Sequence, residues 1–306
     1  MELERDSNLE SPLTKRQYKC ALDQFYAYRG SRDIVGTLVE EYLTIRKARG
    51  ASQATRRLDL AALKWWARRV SKLAREQLAP EIALRYSQAS EAIQEIKIKS
   101  TKQNPAGRHV PNAEIAAILN ACKADPAPAG RRDAALIILL ASTAARNQEI
   151  RLLTLRDISY TTRKDEHGNE IPAIEIKIKH GKGGKPRITY ITGGAITALE
   201  AWLSVRGSGS GAIFNPITTA DKILDRPLSY EATRLILERR AAEAGIPPIN
   251  WHDFRRTGVG KLLNMNIDNH TGMTITGHAQ VDTYLHYDHR PDDKKFQALL
   301  GLQIEF

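Results

Sequence analysis

The sequence predicts a mainly helical protein with one small antiparallel β-sheet, arranged as two domains. Three observations carry that expectation. Through the first hundred residues apolar side chains recur at three- and four-residue intervals, the period of amphipathic helices. The run KSTKQNPAGRHVP, ending at Pro111, is polar, basic and broken by two prolines and a glycine, which marks a linker. Beyond it Ile174, Ile176 and Ile178 alternate with Glu175, Lys177 and Lys179, the period-two signature of a strand. A length of 306 residues suits two domains of roughly 100 to 200 residues each.

Taken in order, residues 1–30 carry little periodic signal beyond a short helix around Tyr18 to Tyr28 and read as an N-terminal arm. From Ser31 the residues Ile34, Val35, Leu38, Val39, Tyr42 and Leu43 form one apolar stripe, with Ser31 as cap and Gly50 as terminator. A second helix is expected from Ser52 to Val70, followed by shorter segments at 71–78 and 81–97, so that residues 31–98 make a helical bundle. The pair Trp65 and Trp66 reads as core rather than as a base-stacking platform. Residues 99–110 are the linker, and residues 111–306 a second domain with helices near 112–121, 132–144, 147–154, 194–205, 229–244 and 253–265. The turns DEHGNE and HGKGGKP divide its strands into an antiparallel sheet.

Composition excludes several classes. The 42% hydrophobic and 26% charged residues are those of a globular chain, not a disordered one. The acidic start MELERDSNLE has no apolar signal-peptide core, and the most apolar stretch, 134–145, is too short to span a bilayer, so no membrane association is expected. Two distant cysteines, Cys20 and Cys122, make neither a disulfide framework nor a thiolate zinc site, which points to a reducing, cytoplasmic compartment. The net charge of +11 suggests a polyanionic partner, and residues 44–108 hold 15 lysines and arginines against 5 acids. Within that tract Arg56, Arg57, Lys64, Arg68, Arg69, Lys99, Lys102 and Arg108 are the candidate contacts to nucleic-acid phosphates.

The chemistry concentrates further on. In HDFRRT, His252 and Arg255 stand three apart, so on one helix they converge on one ligand. TGH follows with His278, and Tyr287 lies nine residues later in YLHYDH. Upstream, TAARNQEI contributes Arg146 and Glu149, and HGKGGKPR contributes Lys182. Filled in this order, these positions resemble the tyrosine recombinase, or phage integrase, family, over residues 111 to about 300. The resemblance implies a core-binding helical bundle followed by an α+β catalytic domain, a site-specific recombinase activity on DNA, and Tyr287 as nucleophile. It departs from the family pattern at Ala144 and Ala145, where glycine and a large apolar residue are usual, and at Thr276, where an apolar residue is usual.

The same residue types suit the reaction. Displacement at a phosphodiester concentrates charge on non-bridging oxygens, which the forked guanidinium groups of Arg146 and Arg255 can hold. A phenol is a poor nucleophile at neutral pH without a base, a task for His252, and the leaving 5′ oxygen needs a proton, a task for Lys182 or its neighbour Lys185. His278 is expected to hydrogen-bond the phosphate, and no metal or other cofactor is required. Tyr284, one helical turn before Tyr287, is the rival nucleophile; by motif register it packs or contacts DNA instead. A metal site on His278, His286, Asp288 and His289 is the competing reading of this histidine-rich stretch, and with it a metal-dependent nuclease. A noncatalytic DNA-binding regulator, or a topoisomerase or resolvase, would use the same fold to a different end. After Tyr287, Pro291 opens a C-terminal helix with Phe296, Leu299, Leu300 and Leu302 on one stripe. The family resemblance makes residues 292–306 an exchanged segment in a homotetramer on DNA.

Overall fold

A computed structural model describes residues 12–99, 107–179, 186–265 and 267–285. The chain divides into two compact units, residues 1–104 and 105–306, each with its own hydrophobic cluster.

The described part of the first unit is helical: α1 (Pro12–Arg29), α2 (Gly36–Ala48), α3 (Gln53–Gln77) and α4 (Pro80–Glu95). Residues 12–29, expected within an arm, are instead a core helix. Ala21, Leu22 and Phe25 are buried in the same cluster as Leu38, Val39, Tyr42 and Leu43 of α2, and Phe25 meets Tyr42 edge-on at 5.2 Å. That stripe of three apolar residues is too narrow to stand out beside the polar residues that share the helix. α2 begins at Gly36 behind Val35, so Ser31 is not its cap. Ser52 does cap α3, its side chain accepting from the Thr55 amide at 3.0 Å. α3 runs through the break expected at Val70, because no glycine or proline interrupts it before Pro80 and its buried Ser71 is met by Ser87 of α4. Trp66 is buried, and half-buried Trp65 packs on Tyr18, as a core pair should.

The second unit contains α5 (Asn112–Ala124), α6 (Pro128–Thr143), α7 (Asn147–Arg151), the strands β1 (Ile158–Lys164), β2 (Glu170–Ile178) and β3 (Arg187–Thr192), then α8 (Gly194–Arg206), α9 (Tyr230–Glu243), α10 (Trp251–Asn264), α11 (Asn269–Thr276) and α12 (Val281–Leu285). The strands form an antiparallel meander in the order β1-β2-β3, with Ile176 opposite Ile158 on one side and Thr189 on the other. Ile174, Ile176 and Ile178 face the core beneath α6 and α8, where Trp202 is fully enclosed and donates to the Ile213 carbonyl. α11 escapes a reading by apolar period, since NHTGMTIT shows no amphipathic stripe; Asp268 caps it through the Thr271 amide.

The turn after α6 is tightly constrained. The helix ends in a left-handed residue, Ala144 at φ +51°, a conformation that costs a non-glycine residue about 1 kcal/mol and turns the chain sharply into Arg146. α10 crosses that turn at Gly258, where an added Cβ would sit 2.6 Å from the Ala144 Cβ. Gly258→Ala is therefore expected to destabilise the protein by about 1 to 3 kcal/mol through overpacking, read by chemical denaturation. An unchanged midpoint would show that the α6–α10 contact yields without cost.

Candidate active site

Five of the expected site residues, Arg146, Glu149, His252, Arg255 and His278, come together where α6, α7, α10 and α11 end or begin. Asn250 caps α10, its side chain accepting from the amides of His252 and Asp253, while Asp253 returns a carboxylate to the Asn250 amide. That capping box starts the helix at Trp251 and so places His252 and Arg255 on its first turns. The same Asp253 accepts from the Arg108 amide, and Thr257 from the Val110 amide, so the chain at 108–110 is stitched to α10.

Arg255 is buried, and its Nη1 donates at 2.7 Å to the carbonyls of both Ala144 and Thr276. These are carbonyls at the C-terminal ends of α6 and α11, where the helix dipole is negative. Its Nη2 lies 2.9 Å from His278 Nε2. The other ring nitrogen, Nδ1, lies 2.7 Å from the Thr276 hydroxyl, which itself donates to the Gly272 carbonyl. That hydroxyl therefore accepts from Nδ1, and the network assigns the Nδ1-protonated tautomer to His278. Thr276, a departure from the family pattern, is thus the group that sets the His278 ring.

Arg146 caps α7. Its amide donates to Glu149 Oε2 at 2.8 Å, its Nη1 to Glu149 Oε1 at 2.9 Å, and its Nη2 to the Gly277 carbonyl at 3.2 Å. Glu149 is buried and also receives Arg187 on both oxygens, at 3.0 and 2.7 Å. Burial pushes its pKa up, but the Arg187 and Arg146 hydrogen bonds outweigh this and hold it below the usual carboxylate value. Arg187 is the residue sequence reasoning missed. It stands five residues after Lys182 in HGKGGKPR, and only its place at the start of a strand facing α7 could have signalled it.

Both site histidines are lowered below the usual imidazole pKa, which disfavours their protonated forms. His278 is pushed down to about 3, first by burial and then by the positive charges of Arg255 and Arg146. His252, although its ring meets solvent, is lowered by partial withdrawal from water and by Arg255, Arg256 and Arg146. Gly277 explains its own presence: it takes the left-handed conformation that ends α11, and a Cβ there would lie 2.7 Å from Arg187 Nη1. Tyr284 is fully buried, edge-on to His278 at 5.6 Å and packed with Val259 and Leu263, in agreement with a packing role.

Tyr287, Lys182, Lys185 and Lys102, together with His286, Asp288, His289 and the segment from Pro291, lie outside the described residues. Among the described residues no group of three potential metal ligands occurs. Of the expected DNA contacts, Arg57 and Lys99 are exposed, and Arg56 and Lys99 line an open cavity with Lys47 and Lys97. Lys64 and Arg68 bond Gln94 across to α4, while Arg69 is half-buried on α3. The Arg108 guanidinium donates to the Pro247 and Pro248 carbonyls and pairs with Glu114 at 2.6 Å, so it serves the fold of its own unit.

The described fold is similar to that of solved site-specific recombinases. A XerH recombinase structure superposes with a TM-score of 0.70 at 21% identity, covering 94% of this chain and 79% of that one. A lambda integrase structure gives 0.62 at 15% identity, covering 94% and 75%. The sequence matches the phage integrase family over residues 108–294, and the chain belongs to that family. Among its relatives, tyrosine recombinase XerC of Roseiflexus castenholzii is 30% identical over 173 residues, which are 54% of this chain and 50% of that protein. XerC of Herpetosiphon aurantiacus is 25% identical over 297 residues, 89% of this chain and 91% of that protein. The match to the Roseiflexus castenholzii and Haemophilus ducreyi XerC proteins spans about half their length, 50% and 49%. No described helix is long and apolar enough to cross a membrane.

The buried His278 makes stability depend on pH. Its folded pKa lies below the unfolded value of about 6.5, so the unfolded chain takes up a proton that the folded chain refuses. The stability this neutral ring allows is fully present above about pH 6.5 and is lost as pH falls toward 3, with a slope of up to about 1.4 kcal/mol per pH unit. Glu149, also lowered, adds a loss in the same direction below its unfolded value. Denaturation at pH 7 and pH 5 should show His278→Gln losing less stability between the two than the wild type. Equal losses in both proteins would contradict the assignment.

Proposed function

We propose that this chain is a site-specific DNA recombinase that cuts and rejoins strands through a 3′-phosphotyrosyl intermediate on Tyr287. The observation that carries the reading is the convergence of Arg146, His252, Arg255 and His278 in one pocket, where burial first and the nearby guanidinium charges second lower both imidazole pKa values. Such a pocket is complementary to a phosphodiester, and its arginines are held by carbonyls and a carboxylate before any substrate arrives. The Tyr287 oxygen attacks phosphorus, the bond from phosphorus to the 5′ oxygen breaks, and neutral His252 takes the phenolic proton. Lys182 supplies the proton to the 5′ oxygen. Reversal by a 5′ hydroxyl of another strand reseals the backbone without a metal or a nucleotide. The hydrogen bond to the phosphate expected of His278 drops out of this reading, because Nδ1 donates to Thr276 and Nε2 accepts from Arg255; the ring instead fixes the plane of that guanidinium.

The relatives point the same way. XerH was captured with difH substrate in pre-cleavage and post-cleavage complexes, and lambda integrase as a tetramer on a Holliday junction. By analogy the first unit, α1 included, is the core-binding domain, and it binds duplex DNA through Arg57, Lys99 and their basic neighbours. The partner is double-stranded DNA, the assembly a homotetramer joined through residues 292–306, and the compartment the cytoplasm.

A nicked suicide substrate tests this directly. The wild type should trap a protein–DNA adduct on a denaturing gel, Tyr287→Phe should trap none, and Arg255→Ala should slow trapping by about 10²- to 10³-fold. EDTA should leave the yield unchanged. An adduct that survives Tyr287→Phe, or cleavage without an adduct that EDTA silences, would overturn the reading, the second outcome in favour of a metal-dependent nuclease.

A further inference from the structure

The proposed reaction assigns no task to Arg187, yet its buried guanidinium holds the carboxylate that in turn holds Arg146. It is the first residue of β3. Its two terminal nitrogens clasp the two oxygens of Glu149 at 3.0 and 2.7 Å, and its Nε donates to the Ile275 carbonyl at 3.2 Å. Each Glu149 oxygen takes a second bond from Arg146, one from the guanidinium and one from the amide. Arg146 then reaches the Gly277 carbonyl. The contacts close a ring: Arg187, Glu149, Arg146, Gly277, and back along the chain to Ile275.

We infer that Arg187 is a positioning residue for strand cleavage, acting on the scissile phosphate through Glu149 and Arg146; the inference rests on the recombinase reading. Two physical effects support it. Glu149 alone would cancel the charge of Arg146, because a buried carboxylate 2.9 Å from a guanidinium screens its field from a ligand. Arg187, on the same carboxylate at 2.7 Å, takes up that negative charge and returns a net positive charge to the face that Arg146 presents. The second effect is geometric. A planar fork binds both carboxylate oxygens at once and fixes the carboxylate plane, and with it the Arg146 guanidinium, whereas a lysine offers a single point charge. Gly277 leaves the space that this fork occupies.

Arg187→Lys separates these effects from mere neutralisation of a buried acid. It should melt near the wild-type temperature and bind DNA with an affinity within about twofold of wild type, yet cleave the suicide substrate about 10- to 100-fold more slowly at saturating protein. In an Arg146→Ala background the same replacement should slow cleavage by less than about twofold, since the group it acts through is gone. A folded Arg187→Lys protein that cleaves at the wild-type rate overturns the inference, as does a full second loss on top of Arg146→Ala. Should Arg187→Lys fail to fold, the double variant Glu149→Gln with Arg187→Gln removes both buried charges together and so leaves neither of the two as an uncompensated buried charge. It should cleave slowly, and wild-type cleavage by it would overturn the inference equally. A wild-type protein that forms no adduct at all overturns the recombinase reading and this inference with it, a result visible in the wild-type lane alone.

Discussion

Arg255 anchors the second unit of this protein. Its Nη1 joins the carbonyl of Ala144, at the end of α6, to that of Thr276, at the end of α11, from a position on α10. Three helices meet on one nitrogen. Both carbonyls lie at helix C-termini, so a cation there meets backbone partial charges rather than water, which offsets part of the cost of burying it. The close approach of α10 at Gly258 and the left-handed turn at Ala144 are the steric conditions for that bond. A wider residue at 258 or a helical φ at 144 would carry the Ala144 carbonyl away from its donor.

From this anchor the electrostatics of the pocket follow. Arg146 and Arg255 act on both imidazoles, Arg256 on His252 and Arg187 on His278, while buried Asp253 is a counter-charge beside His252. Protonating either ring would place a charge in a site withdrawn from water and add it to an arginine cluster, and both effects lower the imidazole pKa values. An anion in the pocket would relax this restraint, because its negative charge favours the protonated forms. The proton affinity of these rings therefore rises with any negative charge brought into the pocket.

Much of this was legible in the sequence. The order and spacing of Arg146, Glu149, His252, Arg255 and His278 placed them in one site, and the change of period at Ile174 located the sheet. What was not legible depends on tertiary approach. Arg187 looks like any basic residue at a strand start until α7 sets Glu149 beside it. α1 carries too few apolar positions to declare itself a core helix, and α3 has no punctuation at Val70 either to end it or to show that it continues. Arg108 reads as a linker cation, yet the carbonyls of Pro247 and Pro248, 139 and 140 positions away, claim its guanidinium.

The two departures from the family pattern become intelligible on the same grounds. Ala144 occupies a φ of +51°, where glycine would be unstrained, and its methyl is buried against α10 at Gly258. The strain is tolerated because the Cβ fills space that glycine at 258 leaves open. Thr276 replaces an apolar side chain with a hydroxyl that reaches both the Gly272 carbonyl and His278 Nδ1. An apolar residue would pack as well but could not choose between the two tautomers of the ring. With the threonine present, Nδ1 carries the proton and Nε2 faces the Arg255 guanidinium as an acceptor, so the histidine and the arginine are locked as a pair. Identity at 276 therefore determines which face of His278 is basic, and a position that looks incidental to the motif selects the tautomer of the residue two places beyond it.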